Sequence, residues 1–278
     1  LFYISLPRES RAPNATIKLT TEVSVRWGKQ LRNWVVGEVI GSVLGCVLGC
    51  VFGGGEAAAE EKLAVVTSER SRRVVATQTP RLEAELKAGG WTWGAPVYIR
   101  AFKRERILEL WLKRGDRFEI FRQYPICAMS GGLGPKQRQG DQQVPEGLYA
   151  ITRRSLNPYS VFHLSMNIGY PNPQDRQLRR TGGDIMIHGN CVSLGCLAMT
   201  DAGIEEIYTL VQAALTANPR GVPVHIFPFR MESLELWRHW RWPHFEFWRK
   251  LKPVYDSPHT AGGGAASLCN ASSCRDKT

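Results

Sequence analysis

No methionine precedes Met129 in this 278-residue chain, and no two cysteines stand at the C-x-x-C spacing that zinc sites favour. The first absence implies a start at a non-standard codon, a fragment or a processed chain, so residues 1–33 are read only as an uncertain N-terminal segment. Acidic residues are few beside basic ones: 25 Asp and Glu against 36 Lys and Arg, a net charge of +11. That balance favours anionic partners, whether nucleic acid, an anionic membrane surface or an acidic polymer. No zinc-finger, RNA-binding or helix-turn-helix signature accompanies it, and the charge is spread along the chain, so a nucleic-acid partner is not expected. The seven cysteines are odd in number, so at least one is unpaired or pairs between chains. Cys46 and Cys50 lie in an apolar segment and Cys269 and Cys274 in a polar tail. The globular part keeps Cys127, Cys191 and Cys196, too few for a disulfide framework.

A long apolar run occurs at residues 35–52, with Glu38 its one acid. Its eighteen residues are about the minimum for a membrane span, and Arg26, Lys29 and Arg32 place its near side in the cytoplasm. Glycines at 37, 41, 45, 49 and 53 suit close helix–helix approach. Residues 34–54 therefore read as a transmembrane anchor or a signal peptide, the latter cut among the small residues 53–59. Either route exports the rest of the chain beyond residue 54. Residues 55–92 are charged and alanine-rich, with a short helix around Leu82 and Leu86 ended by Gly89 and Gly90, and read as a linker.

From residue 93 to 231 the pattern is that of a mainly β, α+β domain. Strands over 107–113 and 117–124 alternate about Arg114-Gly115-Asp116, a hairpin. Further strands are expected at 97–103, 148–152, 161–164 and 222–227, with His163 and His225 as core histidines on two of them. Two long polar loops, 130–141 and 167–183, are more than a compact β domain needs and point to function. One main helix starts at Thr200 or Asp201, with Ile204, Ile207, Tyr208, Val211 and Leu215 on one face. Residues 232–256 form an aromatic and basic extension: either a helix packing its aromatics on the domain, or a surface for an anionic membrane or a glycan. Residues 257–278 are expected to be disordered.

The chemistry concentrates in residues 184–200: a strand end, His188, two glycines and two cysteines, then a helix start. Cys196 follows Gly195 and precedes that helix start, and a helix N-terminus and an imidazole are what lower a thiol's pKa. His188 would accept the thiol proton, with the Gly189 carbonyl holding its ring, and backbone N–H groups near Gly195 would bind an oxyanion. Three other readings stay open. Cys196 could be a buried apolar cysteine, half of a disulfide with Cys191, or, with His188 and Cys191, a metal ligand; no metal or cofactor is expected.

These residues bring a resemblance. His188-Gly189 and Ser193-Leu194-Gly195-Cys196 resemble the marks of the L,D-transpeptidase (YkuD) catalytic domain family, as do Ser130-Gly131-Gly132 and the Pro145-Glu146-Gly147 turn with Tyr149. The run from His188 to Met199 is most similar to the YafK-like branch of murein L,D-transpeptidases and endopeptidases. Leu194 and Ala198 depart from the family pattern, which has a histidine before the Gly-Cys pair and an asparagine or arginine two residues after the cysteine. The resemblance implies a β-sandwich with one main helix after the nucleophile. It implies acyl transfer at the L-centre of meso-diaminopimelate in peptidoglycan stems through a thioester on Cys196. Hydrolysis of an L,D-linkage, such as the bond tying an outer-membrane lipoprotein to peptidoglycan, is the first expectation. Cross-link formation or lipoprotein attachment is the alternative, and a wall-binding module without turnover is a third. Ser193, Asn190, Arg138, Lys136 and Arg179 are the candidate substrate contacts. The expected location is the periplasm, by signal peptide or inner-membrane anchor.

Overall fold

The computed structural model describes residues 64–257. The expected signal or anchor at 34–54 lies outside them, as does nearly all of the tail at 257–278. No helix among the described residues is long and apolar enough to cross a membrane.

The residues Glu69–Ala88 form α1, capped by Ser68, whose hydroxyl accepts from Ser71 N–H while the Ser71 hydroxyl accepts in return. The linker reading fails here. Val74, Leu82 and Leu86 enter the main core, and complete burial of a leucine is worth about 1.5–3 kcal/mol. The helix also joins the domain by charge: Arg122 bridges Glu85 of α1 to Glu206, which Arg81 also meets at 2.7 Å. A helix does carry Leu82 and Leu86, but it is far longer than the short one the pattern suggests.

Two sheets come next along the chain. In the first, β1 (Val97–Phe102), β2 (Ile107–Arg114) and β3 (Arg117–Pro125) run as an antiparallel meander. Gly115, with φ of 57°, lets the β2–β3 hairpin turn in two residues. β4 (Gly147–Ile151) and β9 (Val222–Phe227) complete the order β3-β2-β1-β9-β4, with β9 parallel to β1. The second sheet has the order β5-β6-β7-β8, from β5 (Leu156–Asn157), β6 (Ser165–Asn167), β7 (Met186–His188) and β8 (Leu197–Ala198). A short helix, α2 (Pro173–Gln177), interrupts the second polar loop and starts at Asn172, whose side chain caps it.

The helix α3 (Asp201–Ala217) is the one the periodicity predicts: Thr200 caps it through Gly203 N–H, and Ile204, Ile207, Tyr208, Val211 and Leu215 are all buried. The strand expected over 161–164 is absent. Val161 is exposed, and His163 occupies the left-handed region at φ 67°. His163 is not a core histidine: it is only part-buried, and its Nε2 lies 2.8 Å from Glu205 of α3. His225 is in the core, 2.8 Å from the Tyr98 hydroxyl.

The C-terminal extension forms two helices, α4 (Ser233–Arg238) and α5 (Phe245–Asp256), rather than one. Trp248, Leu236 and Leu251 join Phe102, Phe227, Phe229 and Met231 in a second hydrophobic cluster. The indole of Trp248 donates to Glu146 at 2.7 Å. Glu146 in turn pairs with buried Lys103 at 3.1 Å and accepts from Gly134 N–H at 2.7 Å. Lys103 also donates to the Gly134 and Val144 carbonyls, both at 2.9 Å. A buried pair with its remaining capacity satisfied in this way fixes geometry. Here it pins the loop over 130–146 between the first sheet and α5.

Candidate active site

The strand β7 ends at His188, and the chain returns as β8 after the loop 189–196. β7 and β8 pair in parallel, Ile187 opposite Leu197 and His188 opposite Ala198. Cys196, immediately before β8, is thus brought beside the strand that carries His188. The loop between them needs unusual backbone: Asn190, Cys191 and Gly195 all have positive φ. A side chain on Gly189 would meet the Asp201 carboxylate at 2.6 Å. That carboxylate accepts the Asn190 N–H at 2.7 Å, so the start of α3 holds the loop.

Cys191 is bonded to Cys127, beyond the end of β3, and not to Cys196. Cys196 is the free thiol among the described cysteines. The disulfide removes Cys191 from the metal-ligand reading, and no cluster of His, Cys, Asp and Glu among the described residues is set to hold an ion. The Cys196 Sγ lies 3.4 Å from Met186 N and 3.6 Å from the Asp184 carbonyl. Burial pushes its pKa up, and the Asp184 charge adds to this; the Met186 N–H and the Lys136 charge pull the other way. The expected help from a helix N-terminus is missing, because β8 intervenes and α3 begins only at Asp201.

His188 is buried, and its Nδ1 lies 2.7 Å from the Gly189 carbonyl. A carbonyl only accepts, so Nδ1 carries the proton and Nε2 is left as the basic atom. Burial lowers the His188 pKa, opposed by that bond. The Phe162 ring lies over the imidazole with centroids 4.7 Å apart. Nothing in the sequence pattern marks Phe162, since the segment around it looks like a strand and is a turn.

The expected oxyanion donors are already occupied. Gly195 N–H donates to the Ser130 hydroxyl at 2.7 Å, and Cys196 N–H to the Ser193 hydroxyl at 2.9 Å. Ser193 also donates to the Cys196 carbonyl at 2.7 Å, so it shapes the thiol's own turn rather than facing outward. Lys136 is likewise turned inward: it is buried, donates to Asp141 at 2.5 Å and to the Arg138 carbonyl at 3.0 Å, and reaches Cys196 through its field. Lys136 is paired with an Asp141 whose pKa is down at about 2, with the Lys136 bond the largest stabilising influence. Asn190, Arg138 and Arg179 are exposed. Arg138 lines a cleft of about 470 Å³ with Leu133, Gln137, Gln143 and His244; Asn190 and Arg179 do not. Arg180 is spent on Asp175 at 2.7 Å. Leu194, the departure in the motif, is 75% exposed, and Ala198 is buried and bridged to Ala128.

Comparison with known proteins agrees with this architecture. Residues 96–226 match the model of the YkuD family, the L,D-transpeptidase catalytic domain. The chain is 49% identical over 164 residues to YafK of Escherichia coli strain K12, provisionally named an L,D-transpeptidase, and equally to YafK of strain O157:H7. Those stretches take in 59% of this chain, and the chain spans 66% of the length of these relatives. Among solved structures, the K307A mutant of the helical cell shape determining protein Pgp2 from Campylobacter jejuni is similar at a TM-score of 0.41 and 21% identity. The similarity covers 49% of this chain and 48% of that one, too partial to bear on function. The chain belongs to the L,D-transpeptidase (YkuD) family, through the catalytic domain that residues 96–226 form.

Proposed function

We propose that the domain is a cysteine acyl-transfer enzyme acting on peptidoglycan peptide stems. The observation that carries this reading is a free thiol, Cys196, on the residue before β8, set beside the end of β7 that carries a buried imidazole whose Nδ1–H is fixed by the Gly189 carbonyl. With its pKa raised, the thiol is protonated at rest; with its pKa lowered, the imidazole is neutral. The pair therefore starts uncharged. His188 Nε2 takes the thiol proton as Sγ attacks the carbonyl at the L-centre of meso-diaminopimelate. The tetrahedral oxyanion collapses, the carbon–nitrogen bond breaks, and the departing amine leaves with the proton from His188. A thioester on Cys196 remains. Water or an acceptor amine then attacks it, His188 takes the attacking group's proton, and the returning thiolate recovers that proton.

We assign hydrolysis of an L,D-linkage, such as the lipoprotein–peptidoglycan bond, as the net reaction, with transpeptidation as the alternative. The protein would work in the periplasm, exported or anchored by residues 34–54, with peptidoglycan and its bound lipoprotein as partners. Incubation with lipoprotein-linked and cross-linked peptidoglycan, followed by mass analysis of the stems, tests this. Release of lipoprotein without new cross-links is expected, and new cross-links would favour the transferase.

A wall-binding module without turnover is the second reading. The engagement of Gly195 and Cys196 N–H by serine hydroxyls favours it, since an oxyanion must displace at least one of them or use other donors. A folded domain whose Cys196 ignores thiol-reactive probes would select this reading.

A further inference from the structure

We propose that the C-terminal extension is a glycan platform. On it Trp237, Trp240 and Trp242 hold the sugar backbone of a peptidoglycan strand while a stem enters the adjoining cleft toward Cys196. This rests on the peptidoglycan reading and names a further part of the substrate with its own site. The extension begins after the residues matched by the catalytic-domain family, which end at 226.

Three tryptophans within residues 237–242 are 61%, 56% and 45% exposed. Single exposed apolar side chains are ordinary, whereas a contiguous cluster of large aromatics marks a contact surface. Two of the three are mounted on other aromatic rings. Trp242 packs on the fully buried Trp248 at 5.8 Å between centroids, and Trp237 packs on Phe245 at 5.4 Å. His239 stacks on buried Phe229 at 4.5 Å. Trp248 is itself bonded to Glu146 of the Lys103 pair. An aromatic platform held this way loses little entropy on binding.

The platform leads to the site. His244, two residues after Trp242, packs against Gly134 so closely that a side chain there would meet its ring at 2.5 Å. Both residues line the cleft, together with Gln137, Arg138 and Gln143. A side-chain carbon on Gly195 would lie 3.7 Å from the Gln143 carbonyl oxygen, so the far wall of the cleft adjoins the nucleophile's turn. The chemistry suits an amino-sugar polymer bearing acidic stems. Flat aromatic faces cover the apolar faces of sugar rings, glutamine amides and the histidine meet hydroxyl and acetamido groups, and Arg138 and Arg241, the latter over one face of the Trp240 ring, supply charge for stem carboxylates. An anionic membrane fits less well. A helix lying on a membrane turns its apolar face outward. In α5, the longer helix of the extension, the apolar Trp248 and Leu251 are buried and the outward Glu246 and Arg249 pair with each other; the outward apolar residues, Leu234 with the three tryptophans, lie on the six-residue α4 and the turn after it, too short a helix to lie on a membrane.

The test uses the full chain with Cys196→Ala and peptide-free glycan strands, which contain no scissile bond, with tryptophan fluorescence as the readout. Saturable quenching is expected, weakened at least tenfold in a Trp237→Ala/Trp240→Ala/Trp242→Ala variant. Trp240→Ala alone, expected to weaken binding several-fold, serves if the triple variant does not fold. Absence of glycan binding, or binding that these substitutions leave unchanged, overturns the proposal. So does a variant that loses binding to phosphatidylglycerol vesicles while keeping binding to glycan. Glycan binding in a chain that proves inactive on stems would sink acyl transfer and leave the platform; turnover of stems without glycan binding would sink the platform alone.

Discussion

The Ser130 hydroxyl lies 2.7 Å from the Gly195 nitrogen and accepts its hydrogen bond, while donating to the Gln142 carbonyl at 2.7 Å. One side chain therefore ties the turn before Cys196 to both ends of the loop over 130–143. We expect Ser130→Ala to lower turnover about tenfold, which corresponds to ~1.4 kcal/mol of activation free energy, mainly in kcat. Steady-state kinetics on a soluble stem peptide measure this. A faster enzyme would mean instead that the hydroxyl blocks a donor the oxyanion needs.

The proposed mechanism predicts a pH dependence from the directions of two shifts. The His188 pKa is lowered, so the acid limb of kcat/KM should fall below the ordinary imidazole value of 6.5. The Cys196 pKa is raised, so alkylation by iodoacetamide should climb with an inflection above the ordinary thiol value of 9.0. A flat, fast alkylation rate across pH 5–7 would reveal a thiolate–imidazolium pair and contradict this assignment.

Stability should depend on two groups the pattern of a β domain would not nominate. Glu146→Ala leaves Lys103 buried and unpaired and should cost about 3–5 kcal/mol in urea unfolding. Leu82→Ala should cost about 2–5 kcal/mol, because α1 is part of the core. A cost near zero for Leu82→Ala would restore α1 to the status of a linker.

Reduction should be felt at the site. The Cys127–Cys191 bond closes a separation of 64 residues and anchors the loop that carries Cys196. Cys127→Ser/Cys191→Ser should lose about 2–4 kcal/mol of stability. In the folded, oxidised protein, alkylation and then peptide mapping should find Cys196 modified and the other two protected. Equal labelling of all three would contradict the pairing.

Features that rest on local pattern were legible in the sequence. The hairpin about Gly115, the helix from Thr200 and the approach of His188 to the Gly189 carbonyl all come from residue type and spacing. Features that depend on distant partners were hidden. The mainly apolar run over 161–164 looks like a strand, yet a positive φ at His163 breaks it, and Phe162 lies over His188. Charge alone makes Lys136 look like a substrate contact; Asp141 and the Arg138 carbonyl turn it inward. Alanine and charge make residues 55–92 look like a tether, and only the arrangement of Glu85, Arg122 and Glu206 shows where α1 docks. Serine hydroxyls on the Gly195 and Cys196 nitrogens could not be read from a motif that names the serines without their direction.

The central claim is a thioester on Cys196 formed with the help of His188. Intact-mass analysis of the chain after incubation with a carbapenem or a stem tetrapeptide tests it most directly. The predicted result is one acyl adduct mapping to Cys196, absent in Cys196→Ala and lost or strongly slowed in His188→Ala. A folded protein that forms no adduct, or one whose adduct survives Cys196→Ala, would contradict it.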